Sequence, residues 1–137
     1  MMPEAVKHAV QSHALWLETA GRFGQRWVAA DLDLREADLS GLDLSGCALS
    51  KVNFSGATLR NTQFVGSHMV DCDFQRADVT STAFRKATLD GSDFRGATLL
   101  DADFQRASLI EVHFTGAHLD DARIDRRRLE NAIICEG

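Results

Sequence analysis

The chain has 137 residues, 45% hydrophobic and 26% charged, with a formal net charge of −5, values that fit one folded domain and disfavour nucleic acid or anionic membrane as a partner held by overall charge. No apolar run approaches the ~18 residues needed to cross a bilayer. The N-terminus lacks the basic and apolar regions of a secretory signal, so a cytoplasmic setting is expected.

Residues from about Pro3 to Thr19 predict a helix. Pro3 suits the first turn, Glu4 complements the helix dipole, and Val6, Ala9, Val10, His13, Ala14 and Leu17 recur at helical spacing. Gly21 and Gly24 stop it. Residues 1–30 therefore form a capping helix and lead-in, with Trp16 and Trp27 near the junction, and residues 31–137 form the body. The helix reads as a lid over an otherwise open apolar end; a partner-binding or membrane-surface role is the weaker alternative, because the segment is not strongly basic.

From Leu34 to Ile134 an apolar residue returns at every fifth position, and two residues before it stands a slot that is usually small, such as Ala57, Cys72, Ala77, Ala97 or Ala107. A period of five fits neither a helix nor a continuous strand, so the chain must turn at each repeat and stack as a solenoid. The central residues alternate. Phe54, Phe64, Phe74, Phe84, Phe94, Phe104 and Phe114 are interleaved with Leu59, Met69, Val79, Leu89, Leu99 and Leu109, and Leu39 and Leu119 lie on the same pattern. Three repeats per coil would stack Phe on aliphatic, whereas four stack like on like. Six would leave a bore too wide to fill at normal interior density. The expected coil is thus square, of roughly twenty residues, stacked about 4.8 Å apart, with about five coils in all. Cys47 and Cys72 take small inward slots on separate walls and read as reduced packing residues, not as a bridge or metal pair.

Segments such as Ala37-Asp38-Leu39-Ser40-Gly41, Ala57-Thr58-Leu59-Arg60 and Ala102-Asp103-Phe104-Gln105 resemble the A(D/N)LXX unit of the pentapeptide repeat family. The resemblance implies an all-β solenoid, a right-handed quadrilateral β-helix, capped here by the N-terminal helix. Arg127, charged at a small slot of the last coil, departs from the pattern. The stretch from His13 to Leu17, followed by Gly21 and Gly24, is similar to a lead-in of some bacterial members and carries no known activity.

Asp33, Asp38 and Asp43 precede central leucines and are expected to bond local backbone at the corners. Wrapping the sequence at twenty gathers Arg85, Lys86, Arg106 and Arg123 on or beside one wall, with acid on both neighbouring walls. Together with the outward apolar Leu100 and Ile110, these residues are the expected partner surface. Metal or catalytic chemistry is not expected. His113 and His118, near Glu111, Asp120 and Asp121, are the best candidates, but five residues place them on adjacent walls with diverging side chains. No phosphate loop, nucleophile elbow or cysteine cluster is present in the sequence, and no cofactor is implied.

At the far end Leu129, Ile133 and Ile134 stay apolar without a second lid, so self-association there as a twofold homodimer is expected. Arg126, Arg127 and Arg128 either join that contact or form a solvated last turn. Two functions follow. The first is a structural or protein-interaction module with an unnamed protein partner. The second rests on the resemblance alone: some bacterial family members mimic duplex DNA, bind type II topoisomerases such as gyrase, and confer quinolone resistance or self-immunity.

Overall fold

Asp33 pairs in parallel with Asn53, and the same ladder continues through Asp73, Asp93 and His113 to Ile133. In this computed structural model, which describes residues 2–133 apart from the Arg126 side chain, three more ladders have the same twenty-residue step. One joins Asp38, Thr58, Asp78 and Thr98; another joins Asp43, Gln63, Ala83, Asp103 and Arg123; the last joins Ala48, His68, Thr88 and Ser108. The chain therefore passes over itself once every twenty residues, a lap with four sides. Among the described residues only β1 (Val28–Ala30) and β2 (Ala48–Ser50) are regular strands, paired in parallel with Val28 opposite Ala48. Elsewhere each side offers a single bridged residue, because a five-residue period spends the rest on turns. The pairing begins at Val28.

The turns have one geometry. The second residue after each central one has positive φ from Glu36 (59°) to Gly116 (75°), including non-glycine residues such as Lys86 (61°) and Arg106 (63°). Beside these turns, the Asp or Asn ahead of the central residue accepts the N–H two residues on, as Asp38 does from Ser40 at 3.0 Å and Asp73 from Gln75 at 2.9 Å.

Inside, the rings pile on one another. Phe54, Phe74, Phe94 and Phe114 form one stacked column, and Phe64, Phe84 and Phe104 form a second. The columns meet edge to face across the interior, for example Phe74 with Phe84 at 5.8 Å and 83°. Leu39, Leu59, Leu89, Leu99 and Leu109 are buried on the other two sides. Hydroxyls in the small slots bond carbonyls of the lap before, as Thr62 does to Leu39 at 2.8 Å and Ser92 to Met69 at 3.0 Å, so these buried polar groups are satisfied. Cys47 and Cys72 are free, separate and buried, and burial pushes their thiols up to about 11 and about 12.

The helix α1 (Glu4–Glu18) packs beside the first laps, burying Val6 and His13 and half-burying Ala9, Val10, Trp16 and Leu17. Gly24 comes so close that an added Cβ would lie 2.2 Å from the Ser12 carbonyl and 2.8 Å from the Trp16 nitrogen. At the other end the regular turn stops. Leu119–Asp121 and Arg126–Asn131 are 3₁₀ turns, neither His118 nor Arg128 joins a bridge among the described residues, and Leu119, expected in the core, is only half-buried.

Candidate protein-interaction surface

The Asp103 ladder and the turn that follows it carry the basic residues. Arg85 stands two residues after Ala83, and its Nη1 donates to Gln105 Oε1 at 2.9 Å and approaches Asp103 Oδ2 at 3.4 Å on the next lap. Part of its charge is thereby neutralised within its own wall. Lys86 and Arg106 occupy the same turn on successive laps, and both are exposed. The left-handed backbone there fixes both stems at one corner. Arg123, bridged to Asp103, extends the group toward the C-terminal end. Among the described residues, none of Lys86, Arg106 and Arg123 forms an ion pair. Arg128 adds a guanidinium nearby, its Nη1 donating to the Ala107 carbonyl at 3.4 Å.

The structure separates the two apolar members of the expected surface. Leu100 and Ile110 are each 49% exposed, but they lie on different turns. Leu100 is in the turn leading into the Asp103 ladder and therefore borders the basic wall. Ile110 follows Ser108 and leads away to the His113 ladder, one side further on, where its N–H is bound by Asp90 at 3.1 Å. Wrapping at twenty gives neighbours along one ladder, and two residues ten apart fall half a lap from each other. The corners on either side of the basic one carry acid, with Asp101, Asp120 and Asp121 at one and Asp71 and Glu111 at the other.

His113 and His118 are not brought together. His113 is bridged above Asp93 and half-buried, its Nδ1 without a hydrogen-bond partner among the described residues, while His118 is exposed beyond the end of its ladder. Asp93 is already held by Arg95 at 2.6 Å; burial raises its carboxyl, but the Arg95 hydrogen bonds outweigh that and leave it below the ordinary range. Among the described residues no group of His, Cys, Asp and Glu is arranged to hold a metal ion, and no helix is long and apolar enough to cross a membrane.

Toward the C-terminus, Ile133 is the last bridged residue among those described and is 38% exposed, and Leu129 and Ile124 pack half-buried against the core. Ile134, expected beside them, lies outside the described residues. The arrangement missed in the sequence is at the opposite end, where His13 is enclosed between α1 and the first laps. A polar residue on the apolar stripe of a helix, one turn from a tryptophan, was its only signal.

The family model described as pentapeptide repeats matches residues 33–71, 72–109 and 99–134, in 8 copies. Among solved structures, full-length QnrB1, described as a plasmid-mediated fluoroquinolone resistance protein, is 24% identical at a TM-score of 0.63, covering 68% of this chain and 47% of that one. A trypsin-treated variant of QnrB1 is 25% identical at a TM-score of 0.51, covering 70% and 54%. The chain thus spans about half the length of these structures. The pentapeptide repeat protein alr5209 from Nostoc Pcc 7120 is 25% identical over 89% of this chain and 94% of its own, with a TM-score of 0.40. No curated protein matches the chain.

Proposed function

Because this chain belongs to the pentapeptide repeat family, we propose that it is a non-enzymatic, cytoplasmic protein-binding module, a rigid rod that presents fixed columns of side chains to a partner. In this reading residues 1–30 are a cap and residues 31–137 a right-handed quadrilateral β-helix of about five coils, a shape supported by the four ladders of twenty-residue step. The observation that carries the reading is the corner at Lys86 and Arg106. Two exposed cations stand one lap apart without an ion-pair partner among the described residues, continued by Arg85 and Arg123 and bordered by Leu100. A mixed basic and apolar edge on a net-acidic rod suits an acidic protein surface better than a small molecule, because the groups line a convex corner and converge on no cleft. Capture from the host proteome on the immobilised chain, repeated with K86E/R106E, tests it. A protein retained by the first and lost by the second supports the reading; identical retention removes this surface.

Self-association through the C-terminal end, using Leu129, Ile133 and Ile134, belongs to the same proposal. Its support is the half-buried apolar rim at Leu129 and Ile124. Sedimentation in dilute solution should give twice the chain's 15.1 kDa, and I133D should give the single mass. A single mass for the unaltered chain rejects the dimer.

A second reading, DNA mimicry toward gyrase, is favoured by the likeness to QnrB1, a fluoroquinolone resistance protein. The acidic corners at Asp101 and Glu111 suit it, whereas the Lys86–Arg106 corner interrupts them. Supercoiling assays with and without a quinolone separate the readings, because a mimic must inhibit gyrase or protect it.

A further inference from the structure

His13 is fully buried on the inner face of α1, its ring 5.3 Å from that of Trp16, and both of its nitrogens are engaged. Nδ1 accepts the Trp27 backbone N–H at 2.9 Å, so it carries no proton of its own. Nε2 lies 2.9 Å from the Ser45 carbonyl and must bear the proton that it donates there. Only the neutral Nε2–H tautomer satisfies both contacts. We infer that His13 is a proton-operated latch: the neutral ring ties α1 to the repeat body at Ser45 and to the lead-in at Trp27, and a proton added at Nδ1 sets donor against donor at Trp27 and breaks that tie.

The surroundings are built to this purpose. Trp27, 5% exposed, runs directly into β1, so the latch fixes the segment that starts the pairing. Gln25 N–H donates to the Ser12 side chain at 2.9 Å, and the Arg26 guanidinium donates to the Gly46 carbonyl. The charged groups facing the ring act in both directions. Burial lowers its pKa most, the Ser45 carbonyl and Asp43 raise it, and Arg26 lowers it. Glu18 borders the groove on the Asp43 side, and His8 the groove on the Arg26 side. The net direction is below the ordinary 6.5. A histidine lowered by docking binds fewer protons docked than free, so docking is at full strength above pH 6.5 and weakens as the pH falls below it. The loss is about tenfold in the docking equilibrium per pH unit, down to the docked ring's own value.

The chain's 2 tryptophans both belong to this junction, so the intrinsic fluorescence of the full-length protein reads it directly. Between pH 7 and 5, emission should shift to the red and exchange protection at Trp27 to Ala30 should fall, while protection from Phe64 to Phe104 holds. In H13Q, whose amide supplies one acceptor and one donor without titrating, the profile should stay flat. Equal loss of protection throughout the repeat body, or an H13Q profile that follows the unaltered chain, overturns the latch. If H13Q does not fold, ¹⁵N signals of the unaltered His13 ring decide. An Nε2–H tautomer that titrates below the ordinary 6.5 supports it; an Nδ1–H tautomer, or titration at or above that value, overturns it.

Discussion

Phe54 and Phe74 lie face to face, their ring centroids 5.0 Å apart and their planes 7° from parallel, although twenty residues of chain separate them. The relationship repeats from Phe74 to Phe94 at 4.5 Å, so the core is a stack whose unit is one lap. Phe84, like Phe94, has four ring neighbours: Phe64 and Phe104 along its column and Phe74 and Phe94 across the interior. F84A should cost about 3–5 kcal/mol in chemical denaturation, the range for a buried ring whose cavity cannot collapse. F84L should cost clearly less, and F114A, with ring neighbours only at Phe94 and Phe104, less than F84A.

Gly24 and Gly41 both have positive φ, 73° and 75°, but only Gly24 is pressed against backbone. Alanine at Gly41 meets nothing within 4 Å and should cost only the left-handed penalty, about 1 kcal/mol. Alanine at Gly24 must push α1 away from the lead-in, since the atoms in its path are the Ser12 carbonyl and the Trp16 nitrogen. G24A should therefore expose the tryptophans to a fluorescence quencher while the repeat body keeps its unfolding midpoint within the G41A range.

The paired carboxylates set the acid limit. Asp33 is lowered by the Arg35 side-chain hydrogen bond and Asp38 by that of Ser40; at Asp93 burial pushes up, but the Arg95 bonds prevail. For a group lowered on folding, the contribution is complete above the ordinary 3.8 and is lost as the pH falls through the folded value. Stability should thus be level near neutrality on this account and decline below about pH 4, with D93N showing a shallower decline in equilibrium unfolding across that range.

Thiol chemistry offers an independent check of burial. Cys47 and Cys72 are at most 1% exposed, and their thiols stand at about 11 and about 12, so almost no thiolate is present at pH 8. A C135S chain should resist a disulfide reagent at pH 8 while folded and react at both cysteines once denaturant is added. Prompt reaction in the folded state would place these sulfurs outside the core.

Much of this was legible because one rule governs the middle of the chain: Phe alternates with aliphatic at every fifth position, and only an even number of sides stacks like on like. The helix was legible from Val6, Ala9, Val10 and His13 at helical spacing, and Glu4–Glu18 lies within the expected bounds. The end of the regular ladder was not. Leu119, Ile124 and Leu129 keep the apolar rhythm, yet the positive-φ turn present at Gly116 is absent at Asp121, and turn conformation is set by backbone that side-chain polarity does not report. Spacing likewise grouped Arg85 with Lys86 and Arg106, but only atomic positions show that Arg85 is bound by Gln105 and Asp103 while the other two are not in ion pairs among the described residues.

Every surface assigned to a partner depends on the twenty-residue register, and cysteine pairs measure it directly. Thr58 is bridged to Asp78, and bridged residues on adjacent strands lie about 4.8 Å apart, within disulfide reach. Ala83 belongs to the next ladder. In a C135S background, T58C/D78C should close completely under mild oxidation and T58C/A83C should stay reduced. Closure of the second pair in preference to the first would contradict the register and the surfaces built on it.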